Sequence, residues 1–125
     1  MANLINMEFS KSEMDELIGG AYPHVLTGGV IIASGAGVLK RGTVLGQETA
    51  SGKYKTADST KDDGSQVGSA VLMHDVDATS ADVKTEAYIS GMFNKEKLIF
   101  GGSDDASKQE NNLRIHNIYM TTLLK

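Results

Sequence analysis

The chain has 125 residues, 12 Lys and Arg against 16 Asp and Glu, a net charge of −4, and 40% hydrophobic residues. This is the composition of one soluble globular domain. The scattered basic residues form no phosphate-tracking stripe, and no apolar run approaches the ~20 residues of a membrane span, so neither a nucleic-acid nor a membrane partner is expected. With no cysteine, disulfide scaffolds, thiolate nucleophiles and Cys-based zinc sites are all excluded.

Residues 1–37 read differently from the remainder. Leu4, Ile5, Met7 and Phe9 form a short apolar segment, with no basic-then-apolar leader pattern around them. Ser10-Lys11-Ser12-Glu13 is a capping box, and Phe9 and Met14 are spaced as its hydrophobic staple. A helix over Lys11 to Ile18 is predicted, stopped by Gly19-Gly20. Val25-Leu26 and Val30 to Ala33 are strand-like but interrupted by Gly28-Gly29, and Ser34-Gly35-Ala36-Gly37 reads as a flexible joint. Two accounts fit this stretch: an extra helix and strand packed on the domain, or an arm that orders on a partner.

From Val38 the pattern tightens, and 38–125 reads as a β-rich body. Val38 to Glu48 predicts one or two short strands around a bend at Gly42-Thr43, and Ala50-Ser51-Gly52-Lys53 is a hairpin turn leading to Tyr54. Residues 56–65 hold nothing large and apolar, and Asp63-Gly64 is a turn signal. Val67 to Val76 is the best buried strand, Asp77 to Asp82 a loop, and Val83 to Phe93 a strand. Ser103-Asp104-Asp105 predicts a helix N-terminus, with the helix running from Asp104 to about Leu113. Arg114 to Leu124 is predicted as a closing strand. Fourteen glycines and no Trp agree with a mainly β fold with a small helical part.

The chemistry-bearing residues do not converge. His24, His74 and His116 lack partners at metal-ligand spacing. Alternation along a strand would aim His74 one way and Asp75 and Asp77 the other, so those carboxylates are better read as turn formers. Asp62-Asp63-Gly64 lacks the ligand spacing and closing Glu of a calcium loop. Ser34 is not in a nucleophile elbow, and Gly35-Ala36-Gly37 is too short for a dinucleotide fingerprint. No catalytic, cofactor-binding or metal residues are assigned, and no enzyme is expected.

The order of pieces from Val38 to Phe93 resembles the lambda-type head decoration proteins of tailed bacteriophages. The matching residues are Gly42-Thr43-Val44-Leu45, Ser51 to Tyr54, Asp63 to Gln66 before Gly68 and Val71-Leu72, Val76 to Thr79, and Ser90 to Phe93. The resemblance implies a compact body of the β-clip kind with an N-terminal arm. It also implies a homotrimer that stabilises the expanded shell against DNA pressure from the outer capsid surface, at three-fold and quasi-three-fold sites. Its partners would be the major capsid protein and its own copies. It would carry no cofactor and be made in the host cytoplasm. By the same resemblance the arm would add a strand to a capsid subunit, and Leu4, Ile5, Met7 and Phe9 would be its contact residues. Residues 1–37 are longer and more structured than that family's arm. A small β-clip ligand-binding module, of sugar- or antifreeze-type, is an alternative that should show a polar concave pocket. A trimeric nucleotide hydrolase would need an Asp set and a glycine-rich closing motif. Another virion role, in the tail or at the head–tail joint, is also open.

Overall fold

A computed structural model describes residues 17–21 and 23–122. Nine strands carry most of it: β1 (Ile18–Gly20), β2 (Leu26–Ile32), β3 (Gly37–Leu39), β4 (Val44–Gln47), β5 (Tyr54–Thr56), β6 (Gly68–Leu72), β7 (Val76–Ala78), β8 (Val83–Asn94) and β9 (Ile118–Thr121). A 3₁₀ turn at Lys95–Lys97 and one helix, α1 (Ala106–Ile115), complete it. The mainly β fold with a small helical part is the one expected.

Strand pairing closes a ring in the order β8-β2-β5-β4-β6 and back to β8. The link between β2 and β5 is a single pair, Ile32 with Tyr54, so the barrel has a seam there. The inner face holds Val30, Ile32, Leu45, Ala70, Leu72 and Ala87, with Leu39 and Ala78 of the antiparallel β3–β7 ribbon joining the same core. The next residues along β4, β6 and β8, namely Val44, Val71 and Tyr88, belong to a second core with Leu17, Phe93, Leu98, Leu113 and Ile118. Side chains alternate faces along a strand, so β4, β6 and β8 are buried on both faces. That is why Val44-Leu45 and Ala70-Val71-Leu72 are continuous apolar runs.

Strand β8 organises the molecule. It pairs antiparallel with β1, β2 and β6, and parallel with β9. Because β1 and β2 precede Val38 and are both hydrogen-bonded to β8, the sheet begins well ahead of the 37/38 boundary expected from the sequence.

Several local expectations are corrected. Ile18 to Gly20 is strand rather than helix end and stop, and Leu17 is not helical; Lys11 to Glu16 of the expected helix lie outside the described residues. Gly28-Gly29 does not interrupt β2, because β8 pairs with it from Leu26 to Ile32. A Cβ at Gly28 would sit 3.5 Å from Ile89 Cδ1, an ordinary packing contact, so the strand does not depend on a glycine there. The strand expected over Val67 to Val76 ends at Leu72. Arg41 holds the corner: its Nη1 donates to Met73 O at 2.9 Å and its backbone N–H to Asp75 Oδ1 at 2.7 Å. Val76 then pairs with Leu39 in the ribbon, so Asp77 and Ala78 are strand rather than loop.

At the C-terminal end, the N-cap is Asp105, whose Oδ1 accepts the N–H groups of Ser107 and Lys108 at 3.1 and 3.3 Å. The helix runs to Ile115 and is closed by His116 and Asn117, the latter at φ 65°. A left-handed residue there reverses the chain. The closing strand is therefore Ile118–Thr121, not a strand from Arg114.

Candidate functional site

The candidate surface begins at a bulge. Leu26 pairs with Ser90 and Thr27 with Tyr88, which leaves Ile89 as an extra residue on β8. Bulges re-aim side chains, and Ile89 comes out 41% exposed beside Leu26 at 55% and Val25 at 37%. Beneath them, buried Ser90 ties three segments together. Its hydroxyl donates to His24 O at 2.7 Å and accepts from Asn117 Nδ2 at 3.1 Å. Gly91 N–H donates to Asn117 O at 3.2 Å. Two residues before Asn117, Ile115 is 79% exposed. Of the six large apolar side chains exposed among the described residues, four thus belong to the segments joined at Ser90. The polar groups beneath are already hydrogen-bonded, so what this face offers a partner is apolar contact.

The opposite character marks residues 57–67, which cross over β4 and β5. Lys55 Nζ lies 2.7 Å from Asp63 Oδ2 and 3.0 Å from Glu48 Oε2. The Lys55 ammonium, with the Ser65 hydroxyl and N–H, holds the Asp63 carboxyl far below the usual carboxylate range. Glu48 is lowered by hydrogen bonds from Lys55 and Ser51, and Asp58 by the Thr60 hydroxyl and N–H. Asp104 accepts the Ser59 N–H at 2.7 Å and the Ser59 hydroxyl. Gln109, wholly buried, donates through Nε2 to Asp104 Oδ2 at 3.1 Å and Gln66 O at 3.2 Å. These carboxylates are held by loop N–H and hydroxyl groups and by Lys55, with Asp104 reaching across to Ser59, and are stably ionised rather than poised for proton transfer.

The residues singled out in the sequence stay apart. Leu4, Ile5, Met7 and Phe9 lie outside the described residues. His24 offers its carbonyl to Ser90, His74 Nε2 stands 3.7 Å from Glu86 Oε1, and His116 Nδ1 lies 2.9 Å from Asn112 O. Asp75 binds the Arg41 N–H, and Asp77 the Thr79 N–H and hydroxyl. Ser34 gives its N–H to Asp82, which also pairs with Lys53. Among the described residues no group of three or more His, Asp or Glu is placed to hold a metal ion. A shallow depression of about 360 Å³ lies at the seam beside β2, lined by Gly29, Ile31, Gln47, Tyr54, Lys84 and others. It gathers no catalytic set.

Sequence reasoning missed Ser90, Asn117, Arg41 and Gln109. An Asn directly after an amphipathic helix is a known left-handed cap and marks Asn117. For a Gln within a polar helix, or a Ser between apolar strand residues, no one-dimensional signal distinguishes a tether from solvent-facing filler.

A family model described as bacteriophage lambda head decoration protein D matches residues 6–117. No curated protein matches the chain. With the match spanning nearly all of the β-rich body, from before β1 to the start of the closing turn, the chain belongs to the bacteriophage lambda head decoration protein D family.

Proposed function

We propose that this protein is a cement for the phage head: a homotrimer seated at three-fold and quasi-three-fold positions of the outer capsid surface, stabilising the expanded shell against DNA pressure. Membership of the family makes it a capsid decoration protein of the phage head, associated with the virion capsid. That match is the observation that carries the reading. The finer statements are inferences from physics and likeness. A small body without disulfides gains buried apolar area by joining copies of itself, and the apolar residues around Ser90 supply surface for such contact. The partners are the major capsid protein and its own copies, without nucleic acid, cofactor or catalysis, and synthesis is in the host cytoplasm.

The division into arm and body is drawn at Leu17 rather than at residue 37, since β1 and β2 belong to the sheet. Residues ahead of Leu17, with Leu4, Ile5, Met7 and Phe9, form the attachment arm. Alternating apolar and polar residues from Ile5 to Phe9 suit strand addition to a capsid subunit, and three arms on one trimer bind as a multivalent unit.

The test is to add purified protein to undecorated expanded shells and measure occupancy and heat resistance. Saturation at multiples of three copies per site, with DNA retained to higher temperature, is expected. Shells that take up no protein, or single copies without gain in heat resistance, would overturn the reading.

A further inference from the structure

Strand β2 is paired along its whole length on one side and almost nowhere on the other. Each residue from Leu26 to Ile32 faces a partner in β8, whereas β5 meets β2 only at Ile32. Ala33 N–H donates to Tyr54 O at 2.9 Å. Backbone groups alternate sides along a strand, so the odd-numbered residues turn their N–H and C=O toward this seam. The N–H groups of Thr27, Gly29 and Ile31 have no backbone acceptor across it among the described residues.

Exposed edges are ordinarily guarded by charge or proline. The sequence of β2, LTGGVII, has neither. A Cβ placed on Gly29 would meet nothing within 4 Å, so the sheet face above the strand's centre is open to the side chains of an added strand. The depression at the seam adds room, and its one charged lining residue, Lys84, has no ion-pair partner among the described residues.

We infer that the β2 edge is a strand-addition site for an extended segment of the phage shell protein, with a small residue opposite Gly29 and an acidic residue near Lys84. The inference rests on the capsid-bound reading above. A second copy is the weaker occupant for two reasons. Two β2 edges pair antiparallel only across a two-fold axis, which does not build a three-fold assembly. That arrangement would also bring two Lys84 side chains toward one seam, whereas an acidic segment complements Lys84. The body thus grips the shell through its own sheet, in addition to any contact by the arm, and main-chain hydrogen bonds supply the affinity.

Residue-resolved hydrogen exchange on the full-length protein, free and bound to purified shells, tests this. In the free protein the amides of Thr27, Gly29 and Ile31 should exchange fast, and those of Gly28, Val30 and Ile32, bonded to β8, slowly. On saturated shells the three fast amides should slow at least tenfold. Unchanged rates on saturated shells overturn the inference, and so does protection already present in the free oligomer, which would assign the edge to a second copy. Gly29→Lys should melt like wild type and bind shells at least tenfold more weakly, with Lys84→Glu also weakened. Wild-type affinity in a folded Gly29→Lys variant overturns it. Failure of the wild type to bind shells at all would sink the capsid-bound reading itself, a distinguishable result.

Discussion

The side-chain oxygen of buried Gln109 accepts the backbone N–H of Gly68 at 2.8 Å, joining helix α1 to the barrel across 41 residues of sequence. The same side chain donates to Gln66 O and Asp104 Oδ2, and Asp104 holds Ser59. One amide therefore pins helix, loop and strand. Gln109→Leu keeps the volume but strands the Gly68 N–H in a dry environment. It should cost about 2–3 kcal/mol and lower the melting temperature by roughly 10 °C or more. A shift of a degree or less would mean that the network contributes nothing net.

Two strand glycines, Gly46 in β4 and Gly29 in β2, should behave oppositely. A Cβ on Gly46 would collide with the Ser65 carbonyl oxygen and its backbone carbons, so the 57–67 crossing would have to lift. Gly46→Ala should cost about 1–3 kcal/mol. Gly29→Ala enters open space in an ordinary strand and should be neutral or stabilising by up to ~1 kcal/mol. Parallel thermal melts of the two variants decide this, and equal shifts would contradict the packing described.

Acid should weaken the fold through its hydrogen-bonded carboxylates. The folded-state values of Asp63, Glu48, Asp58, Asp77, Asp82 and Asp105 are all depressed by hydrogen bonds, with Lys55 and Lys53 the cationic donors. A depressed carboxylate contributes stability that is fully present above its unfolded value near 4 and is lost as pH falls through the folded one. Melting temperature should thus be flat from about pH 7 to 5 and drop below about pH 4. Lys55→Met should flatten part of that drop, because it removes the first-ranked donor to both Asp63 and Glu48. An unaltered acid profile in Lys55→Met would show that exposure and solvent screening cancel the interaction.

Deleting residues 2–9 should leave melting of the free protein within about 0.5 kcal/mol of wild type and reduce retention on shells. Collapse of the free protein would place Leu4, Ile5, Met7 and Phe9 in a core. Unchanged retention would make the segment idle.

Leu26→Asp combined with Ile89→Asp replaces the centre of the apolar face without touching either core. The folded body should survive, and the proposed trimer should be lost, the solution mass falling to that of a monomer. Retention of the trimer would move the contact between copies elsewhere.

The sequence was legible where one element answers to one local rule. The Gly52 hairpin, the acidic N-cap before α1, the apolar run of β6 and the strand over Val83 to Phe93 were all readable, because turn geometry and burial act on neighbouring residues. Boundaries that depend on distant partners were not. Gly28-Gly29 resembles a break until β8 is known to pair across it, and Ile18 looks helical until Phe93 is known to pair with it. The barrel's closure through β6 and β8 has no signature in either strand alone. The segment of greatest expected importance for attachment, Leu4 to Phe9, carries a clear alternating pattern whose meaning depends on a surface that this chain does not contain.

Strand β8 has a consequence for the order of events in the cell. Four other strands hydrogen-bond to it, and it ends at Asn94, three-quarters of the way along the chain. A ribosome that has delivered β1, β2 and β6 has made three strands whose common neighbour does not yet exist. Ring closure is therefore a late event, completed only when β8 and then β9 emerge. A topology dominated by such distant pairings folds on the slow side, in roughly milliseconds to seconds. Until then the apolar residues of β4 and β6 have no cover, which makes synthesis the interval in which a decoration protein of this design most needs protection from its own copies.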